Sequence, residues 1–337
     1  MLNSVLEVGG FLRSLSFLGL SYLEWTGLVW TLIMIGYITP RVFSTIYCVW
    51  IAPALGHYAN LRKMGKWAVI TGASDGIGKA YAEEIARCGV NVVLISRTKS
   101  KLDSVAEDIR ENFGVKTKTI AVDFTHGMSV YDTIQQELEG LEIGTLVNNI
   151  GIWYPFVDFF TELPNAKKHS QDMIHCNVCP VTFLTHMILP QMCSRHRGVI
   201  INVSSRLGTG VIPLAAMYNA TKTFTERFSE ALAMEYERNG IIIQTVIPAY
   251  VATRMSGVSQ PSWITPSANE YVQMALKTVG VETRTAVHIP HRLSRLADEL
   301  LFFFFRELDT RGKYHFYLTL RGLSKRRQDY KKIGKLE

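Results

Sequence analysis

The sequence predicts an α/β fold, a doubly wound parallel sheet, preceded by N-terminal hydrophobic helices suited to anchoring in a membrane. Three observations carry this. From Trp67 onward, short apolar runs alternate with helix-length stretches, and strands spaced that way pair in parallel with helices on both faces. A glycine-rich run, Gly72-Ala73-Ser74-Asp75-Gly76-Ile77-Gly78, ends the first apolar run and opens the first helix. Ahead of it, Trp25 to Pro40 carries no charge, and Val42 to Leu61 is a second uncharged run interrupted by Pro53 and His57.

Each N-terminal run is near the ~20 residues that cross a bilayer. They are too long for a cleaved leader, and no small-x-small site closes them. Arg62, Lys63 and Lys66 follow, and flanking positive charge stays cytosolic, so the next domain is expected to face the cytosol. The alternative is a buried helix pair in a protein without a span. Beyond, Trp67–Thr71, Asn91–Ser96, Thr117–Val122 and Thr145–Asn148 read as strands, separated by helices to Arg87, over Lys99–Glu111 and over Ser129–Glu139. A long helix around Met173–Cys193 and a strand at Gly198–Ser204 come next. The following helix carries Tyr218, continues its apolar stripe through Phe224, Phe228, Ala231, Leu232 and Met234, and stops at Asn239-Gly240, before a strand at Ile241–Ile247.

An apolar content of 47% over 337 residues is ample for a core. The net charge is +7, but residues 306–337 hold ten Lys/Arg against four Asp/Glu, so the excess is a tail rather than a basic face. That argues against a nucleic-acid partner and leaves a tail lying on an anionic membrane or solvated. Five scattered cysteines build no disulfide framework, and Cys176-x-x-Cys179 lacks the second pair a zinc site needs, so no metal is expected.

Tyr218 and Lys222 fall one helical turn apart on one face. A free phenol titrates near 10, and an adjacent ammonium pulls it toward the range of a general acid/base. The competing reading is a surface pair, since Tyr-x-x-x-Lys arises by chance among fourteen tyrosines. In the glycine loop, Gly72, Gly76 and Gly78 let backbone approach a pyrophosphate at a helix N-terminus, the Rossmann-like arrangement, and Ser74, Asp75 and Ile77 join them as cofactor-binding residues. An acid ending the second strand would bind the ribose of NAD. Ser96-Arg97 stands there, and a guanidinium forks onto a 2′-phosphate, so NADP(H) is the expected cofactor.

Thr71-Gly72-x-x-x-Gly76-x-Gly78, Asn148-Asn149-Ile150-Gly151, Ser205 and Tyr218-x-x-x-Lys222 occur in order, each in its strand or helix context. Over about residues 66–255 the chain thereby resembles the classical short-chain dehydrogenase/reductases. Trp67-Ala68-Val69-Ile70, Asp75 to Glu84 and Val251-Ala252-Thr253 are similar to one membrane-attached branch. It holds the type 3 and type 12 17β-hydroxysteroid dehydrogenases, the very-long-chain 3-oxoacyl-CoA reductases and hydroxysteroid dehydrogenase-like protein 1.

The resemblance implies a Rossmann domain with a substrate-lid region over 65–290, an anchor over 1–64 and an apolar, basic extension over 291–337. It implies Tyr218 as catalytic acid/base and Lys222 as the group that tunes it and holds the nicotinamide ribose. Ser205, thirteen residues before Tyr218, would bind the substrate carbonyl, with Ser204 the lesser candidate. Asn177 would hold a water in the proton relay. Asp123 would meet adenine, Asn149 and Gly151 the cofactor edge, and Pro248, Val251 and Thr253 the nicotinamide side. Three departures stand out: Ile150 where the family has Ala, Ala249 after Pro248, and Pro180, which is expected to kink or break the helix carrying Asn177.

The implied activity is reduction of a ketone on a hydrophobic small molecule, a 3-oxoacyl-CoA or a 17-keto steroid. Its rival is a catalytically silent binding or scaffold protein on the same fold. Trp153, Tyr154, Phe156, Phe159, Phe160, Met255, Trp263 and Tyr271 are the expected pocket. Leu300–Phe305 is expected at the bilayer or the substrate mouth. The endoplasmic reticulum membrane is the expected location, with the mitochondrion as alternative, and a homodimer is a candidate assembly.

Overall fold

The computed structural model describes residues 22–163 and 165–332, so the end of the basic tail, 333–337, lies outside the described residues. The chain divides into two compact units between Ile51 and Ala52. In the first, helix α1 (Tyr22–Ile46) runs on through Pro40 and into a π turn, Tyr47–Ile51. Arg41 does not interrupt it, because its guanidinium folds back to donate to Tyr37 O at 2.9 Å and lies 3.5 Å from the Tyr37 ring centroid. Large apolar side chains such as Trp30, Leu32 and Phe43 are exposed. By length and composition, Glu24–Leu55 is able to cross a membrane.

The second unit is built on one parallel sheet. Its strands are β1 (Trp67–Thr71), β2 (Asn91–Ser96), β3 (Thr117–Ala121), β4 (Ile143–Asn148), β5 (Gly198–Val203), β6 (Ile241–Val246) and β7 (Arg284–Thr285), in the order β3-β2-β1-β4-β5-β6-β7. The order reverses between β1 and β4, which opens the crevice where such sheets bind ligands. Near-continuous Val, Ile and Leu make β1, β2, β4 and β5 buried on both faces, as a covered parallel sheet requires. Helices α2 (Gly76–Arg87), α3 (Lys99–Phe113) and α8 (Ala268–Leu276) cover one face through Tyr81, Ile85, Leu102, Ile109 and Tyr271. Helices α4 (Val130–Leu138), α6 (Cys179–Ser194) and α7 (Ala216–Tyr236) cover the other through Ile134, Leu184, Ile188 and Leu232.

Three features differ from the sequence reading. Strand β7 is two residues, too short to leave a pattern, and is held by pairing of Thr245 with Arg284 and Val246 with Thr285. Tyr271 faces the core at 0% exposure instead of a pocket, because α8 packs onto α2. The helix expected around Met173–Cys193 starts as α5 (Ala166–Met173), passes a π turn at Ile174–Val178, and continues as α6. Pro180 does not break it: it occupies the first turn of α6, where its missing N–H costs nothing, and Cys179 N donates to Ile174 O across the π turn. The final helix, α9 (Ile289–Lys332), kinks at Phe305. Leu301 and Phe305 are exposed, whereas Tyr317 is buried in the apolar cluster that contains Tyr218. The tail is not simply solvated, for Arg321 pairs with Asp158 and Glu162.

Candidate active site

Helix α7 presents Tyr218 and Lys222 one turn apart, and both are buried. The Tyr218 ring meets Trp153 edge-on at 4.4 Å between centroids, and Lys222 Nζ lies 5.8 Å from the Tyr218 centroid. The start of α7 is fixed by Tyr154, whose hydroxyl accepts from Met217 N at 2.9 Å. Ser205 follows β5 in extended backbone, its Oγ accepts from Leu207 N at 3.2 Å, and its hydroxyl is near enough to Tyr218 to favour the phenolate. Ser204 points the other way, into the protein, with Oγ 3.0 Å from Lys222 O and 3.1 Å from Glu226 Oε1. The alternation of side chains along a strand thus selects Ser205 as the serine beside the phenol.

Burial pushes the Tyr218 phenol up to about 12, against the hydrogen bond from Ser205. The downward pull expected from Lys222 does not prevail, because desolvation disfavours a buried phenolate more strongly. Tyr218 is therefore a protonated phenol at neutral pH, the form that donates. Burial also draws the Lys222 ammonium down to about 8, opposed by the charge of Glu226. Lys222 Nζ donates to Val203 O at 2.9 Å.

Asn177 reaches the same spot from the π turn. It is 1% exposed, its Oδ1 accepts from Ile152 N at 2.8 Å, and its Nδ2 donates toward Ile152 O and Thr221 Oγ1, each at 3.1 Å. A Cβ on Gly151 would sit 3.4 Å from both Asn177 Oδ1 and Lys222 Nζ, so Gly151 forms the wall between them. Thr71 binds the two halves of the crevice together: its hydroxyl accepts from Asn149 N at 2.9 Å and Ile150 N at 3.0 Å.

The glycine loop has the shape of a phosphate cradle. Gly72 and Gly76 have φ of +67° and +55°, conformations that favour glycine. A Cβ on Gly78 would lie 2.2 Å from Gly72 O and 2.5 Å from Asn149 Nδ2, so the opening turn of α2 packs onto the loop only with glycine there. Asp75 caps α2 by accepting from Gly76 N at 2.8 Å and pairs with Arg254 at 2.6 Å. Ser74 Oγ meets Ser96 Oγ at 2.9 Å, and Ile77 lies in the first turn of α2 against the core. Thr253 approaches the loop opposite Gly76, beyond the buried Val251, and Pro248 O accepts from Arg206 N at 2.8 Å.

Arg97, 74% exposed at the end of β2, lies 3.8 Å from Asp123. Asp123 is committed to Thr125 N and Oγ1 at 3.0 and 2.8 Å. The glycine cradle and the helix N-terminus fit the pyrophosphate of a dinucleotide, with the Arg97 guanidinium at the end of β2. Among the described residues no group of three metal-ligating side chains forms.

The apolar side of Tyr218 is lined by Tyr154, Leu163, Met173, Ile212 and Tyr317. Of the side chains expected there, Phe156 and Phe159 are partly buried against this cluster, while Phe160, Met255 and Trp263 are exposed. Sequence reasoning missed Tyr317, Glu226 and Arg254. Glu226 stands one helical turn after Lys222 and was legible by spacing; Tyr317, some hundred positions beyond Tyr218, was not.

A short chain dehydrogenase family model matches residues 66–262, and the chain belongs to that family of oxidoreductases. It is 48% identical over 228 residues to a very-long-chain 3-oxoacyl-CoA reductase of Anas platyrhynchos, covering 68% of this chain and 73% of that one. Among solved structures, a 7β-hydroxysteroid dehydrogenase studied for its stereoselectivity matches with a TM-score of 0.65 at 28% identity, covering 78% of this chain and 100% of that one. A short-chain dehydrogenase of Sphingobium yanoikuyae in complex with NADPH matches with a TM-score of 0.60 at 29% identity, covering 72% and 96%.

Proposed function

We propose that this oxidoreductase is a membrane-anchored reductase that uses NADPH to convert the ketone of an apolar substrate to an alcohol. A long-chain 3-oxoacyl-CoA is the favoured substrate, on the activity named for the Anas platyrhynchos relative. The observation that carries the reading is the grouping of Ser205 and Tyr218, with Lys222 one turn beyond and an apolar wall beside the phenol.

NADPH would be held by Gly72 to Gly78, Arg97, Asp123, Asn149, Gly151, Lys222 and the Pro248–Thr253 segment, and when bound it supplies the hydride. Ser205 and Tyr218 donate hydrogen bonds to the substrate carbonyl oxygen. As that oxygen gains negative charge, the Tyr218 hydroxyl gives it a proton, and the nearby Lys222 cation lowers the cost of the phenolate left behind. Asn177 braces the Ile152 backbone beside them. Trp153, Tyr154 and Tyr317 keep water from the phenol.

Residues 1–64 serve as anchor, 65–290 as the catalytic domain and 291–337 as an extension. The reading places the anchor in the endoplasmic reticulum membrane with the catalytic domain in the cytosol. It rests on the apolar Glu24–Leu55 helix and the basic residues Arg62, Lys63 and Lys66 that follow.

The test is NADPH oxidation by the full chain in detergent with 3-oxoacyl-CoA substrates of increasing length, alongside 17-keto steroids. Turnover is expected to rise with acyl length. Tyr218→Phe should fold and bind NADPH yet lose about 10²–10⁴-fold in rate, the usual contribution of a positioned acid. A Tyr218→Phe protein that reduces the ketone as fast as its active parent overturns the assignment.

A further inference from the structure

Helix α7 carries a second buried charge behind the lysine. Glu226, 3% exposed, lies one turn beyond Lys222. Its Oε2 accepts from Arg284 Nε and Nη2 at 3.0 and 2.5 Å, and its Oε1 is 3.1 Å from Ser204 Oγ. A Cβ on Gly208 would come 2.8 Å from Glu226 Oε1 and 2.9 Å from Lys222 C, so bare backbone closes the remaining side. Stripping water from a carboxylate costs several kcal/mol unless partners replace it. The two-residue strand β7 exists at the place where Arg284 can supply that partner.

Packing alone would be met by an apolar residue at this position. What only a carboxylate supplies is negative charge one helical turn from a buried ammonium, and a clamp on Ser204, the neighbour of Ser205. We propose that Glu226 is a positioning residue for Lys222, an anion pinned by Arg284 and Ser204 that holds the lysine in its charged form and fixes the strand end bearing Ser205. The proposal rests on the roles given above to Tyr218 and Lys222.

The groups around the pair are few. Tyr218 flanks Lys222 on its own helix, with Asn177 from the π turn and Val203 O from β5. Around Glu226 stand Arg284 from β7, the charge of Arg295 from α9, and Glu230 on α7, which shares Arg284 at 3.7 Å. Burial pushes the Glu226 carboxyl up, and Arg284, Ser204 and Arg295 pull it back toward the ionised form. The charge of Glu226 in turn opposes the loss of the Lys222 proton.

The experiment follows Lys222 itself, in the full chain in detergent with lysine labelled at Cε with carbon-13. Its resonance is identified by its disappearance in Lys222→Met, and its chemical shift is titrated with pH. Glu226→Gln keeps the shape and removes the charge, and is expected to lower the Lys222 midpoint by about one pH unit or more, the usual effect of a close opposite charge. Glu226→Asp should bring it back toward the parent value. Should Glu226→Gln fail to fold, Arg284→Met takes the cation from beside the Glu226 carboxylate, and the Lys222 midpoint should rise. A merely structural role would lower the melting temperature and leave the Lys222 midpoint unmoved, and an unmoved midpoint in either folded variant overturns the proposal. The titration needs no substrate, so a shifted midpoint in a protein that reduces no ketone keeps the coupling and sinks the reductase reading instead.

Discussion

At the scale of single residues, the proposed preference for NADPH rests on Arg97. Its guanidinium is largely exposed at the carboxyl end of β2, and its nearest acid, Asp123, is already engaged by Thr125. The fork can therefore turn to a phosphate at little cost. Arg97→Asp replaces it with a carboxylate that repels a 2′-phosphate and accepts from a ribose hydroxyl. Hydrogen bonds to charged groups contribute about 1.5–3 kcal/mol, so NADPH should bind roughly 10- to 100-fold more weakly while NADH gains relative to it. Fluorescence titration of both nucleotides reads this directly. Equal affinities in the unmutated protein would leave Arg97 without its assigned role.

At the scale of elements, the glycine loop and α2 act as one piece. Opposite its missing Cβ, Gly78 meets the Asn149 side chain and, closer still, backbone, with Gly72 O at 2.2 Å, so no rotamer change alone can make room. Gly78→Ala should force α2 off the loop, costing about 1–3 kcal/mol of stability by overpacking. The melting temperature should fall, and NADPH binding should weaken further because the cradle itself is displaced. Retention of parental NADPH affinity by Gly78→Ala would show that the loop does not hold the phosphates. The π turn before α6 is the complementary case. Pro180 invited the expectation of a break, and the backbone absorbs it by widening one turn, which leaves Asn177 bonded to Ile152 and Thr221. Local sequence gives the proline, whereas the compensation depends on what packs around it.

At the scale of the whole catalytic unit, His291 ties α9 to the loops that follow β6. It is 2% exposed, its Nδ1 accepts from Ala249 N at 3.4 Å, and its Nε2 lies 3.2 Å from Ile264 O, which it can donate to when the ring is neutral. Burial, helped by neighbouring His288, lowers its pKa from 6.5 to about 4. The unfolded chain therefore binds a proton that the folded chain refuses. Stability from this site is complete above pH ~6.5 and drains away as pH falls toward ~4, by at most about 3 kcal/mol. Thermal unfolding across that window should show the decline, and His291→Gln, which keeps an acceptor and a donor but does not titrate, should flatten it. An equally steep decline in that variant would assign the acid sensitivity elsewhere.

The sequence by itself determined the parallel sheet apart from β7, and the glycine loop at its crevice. The reason is that these depend on short-range rules: short, near-continuous apolar runs for buried parallel strands, glycine at positive φ between Gly72 and Gly78, and one-turn spacing on a helix between Tyr218 and Lys222. Only the tertiary structure decided which of two adjacent serines faces the phenol, that Tyr271 belongs to the core, and that Tyr317 from the far end of the chain closes the apolar side of the site. It also set the direction in which the Tyr218 phenol shifts, upward. The charge beside a phenol can be read from spacing, but the desolvation that outweighs it is set by every side chain that packs around it, and these come from strands and helices scattered along the chain.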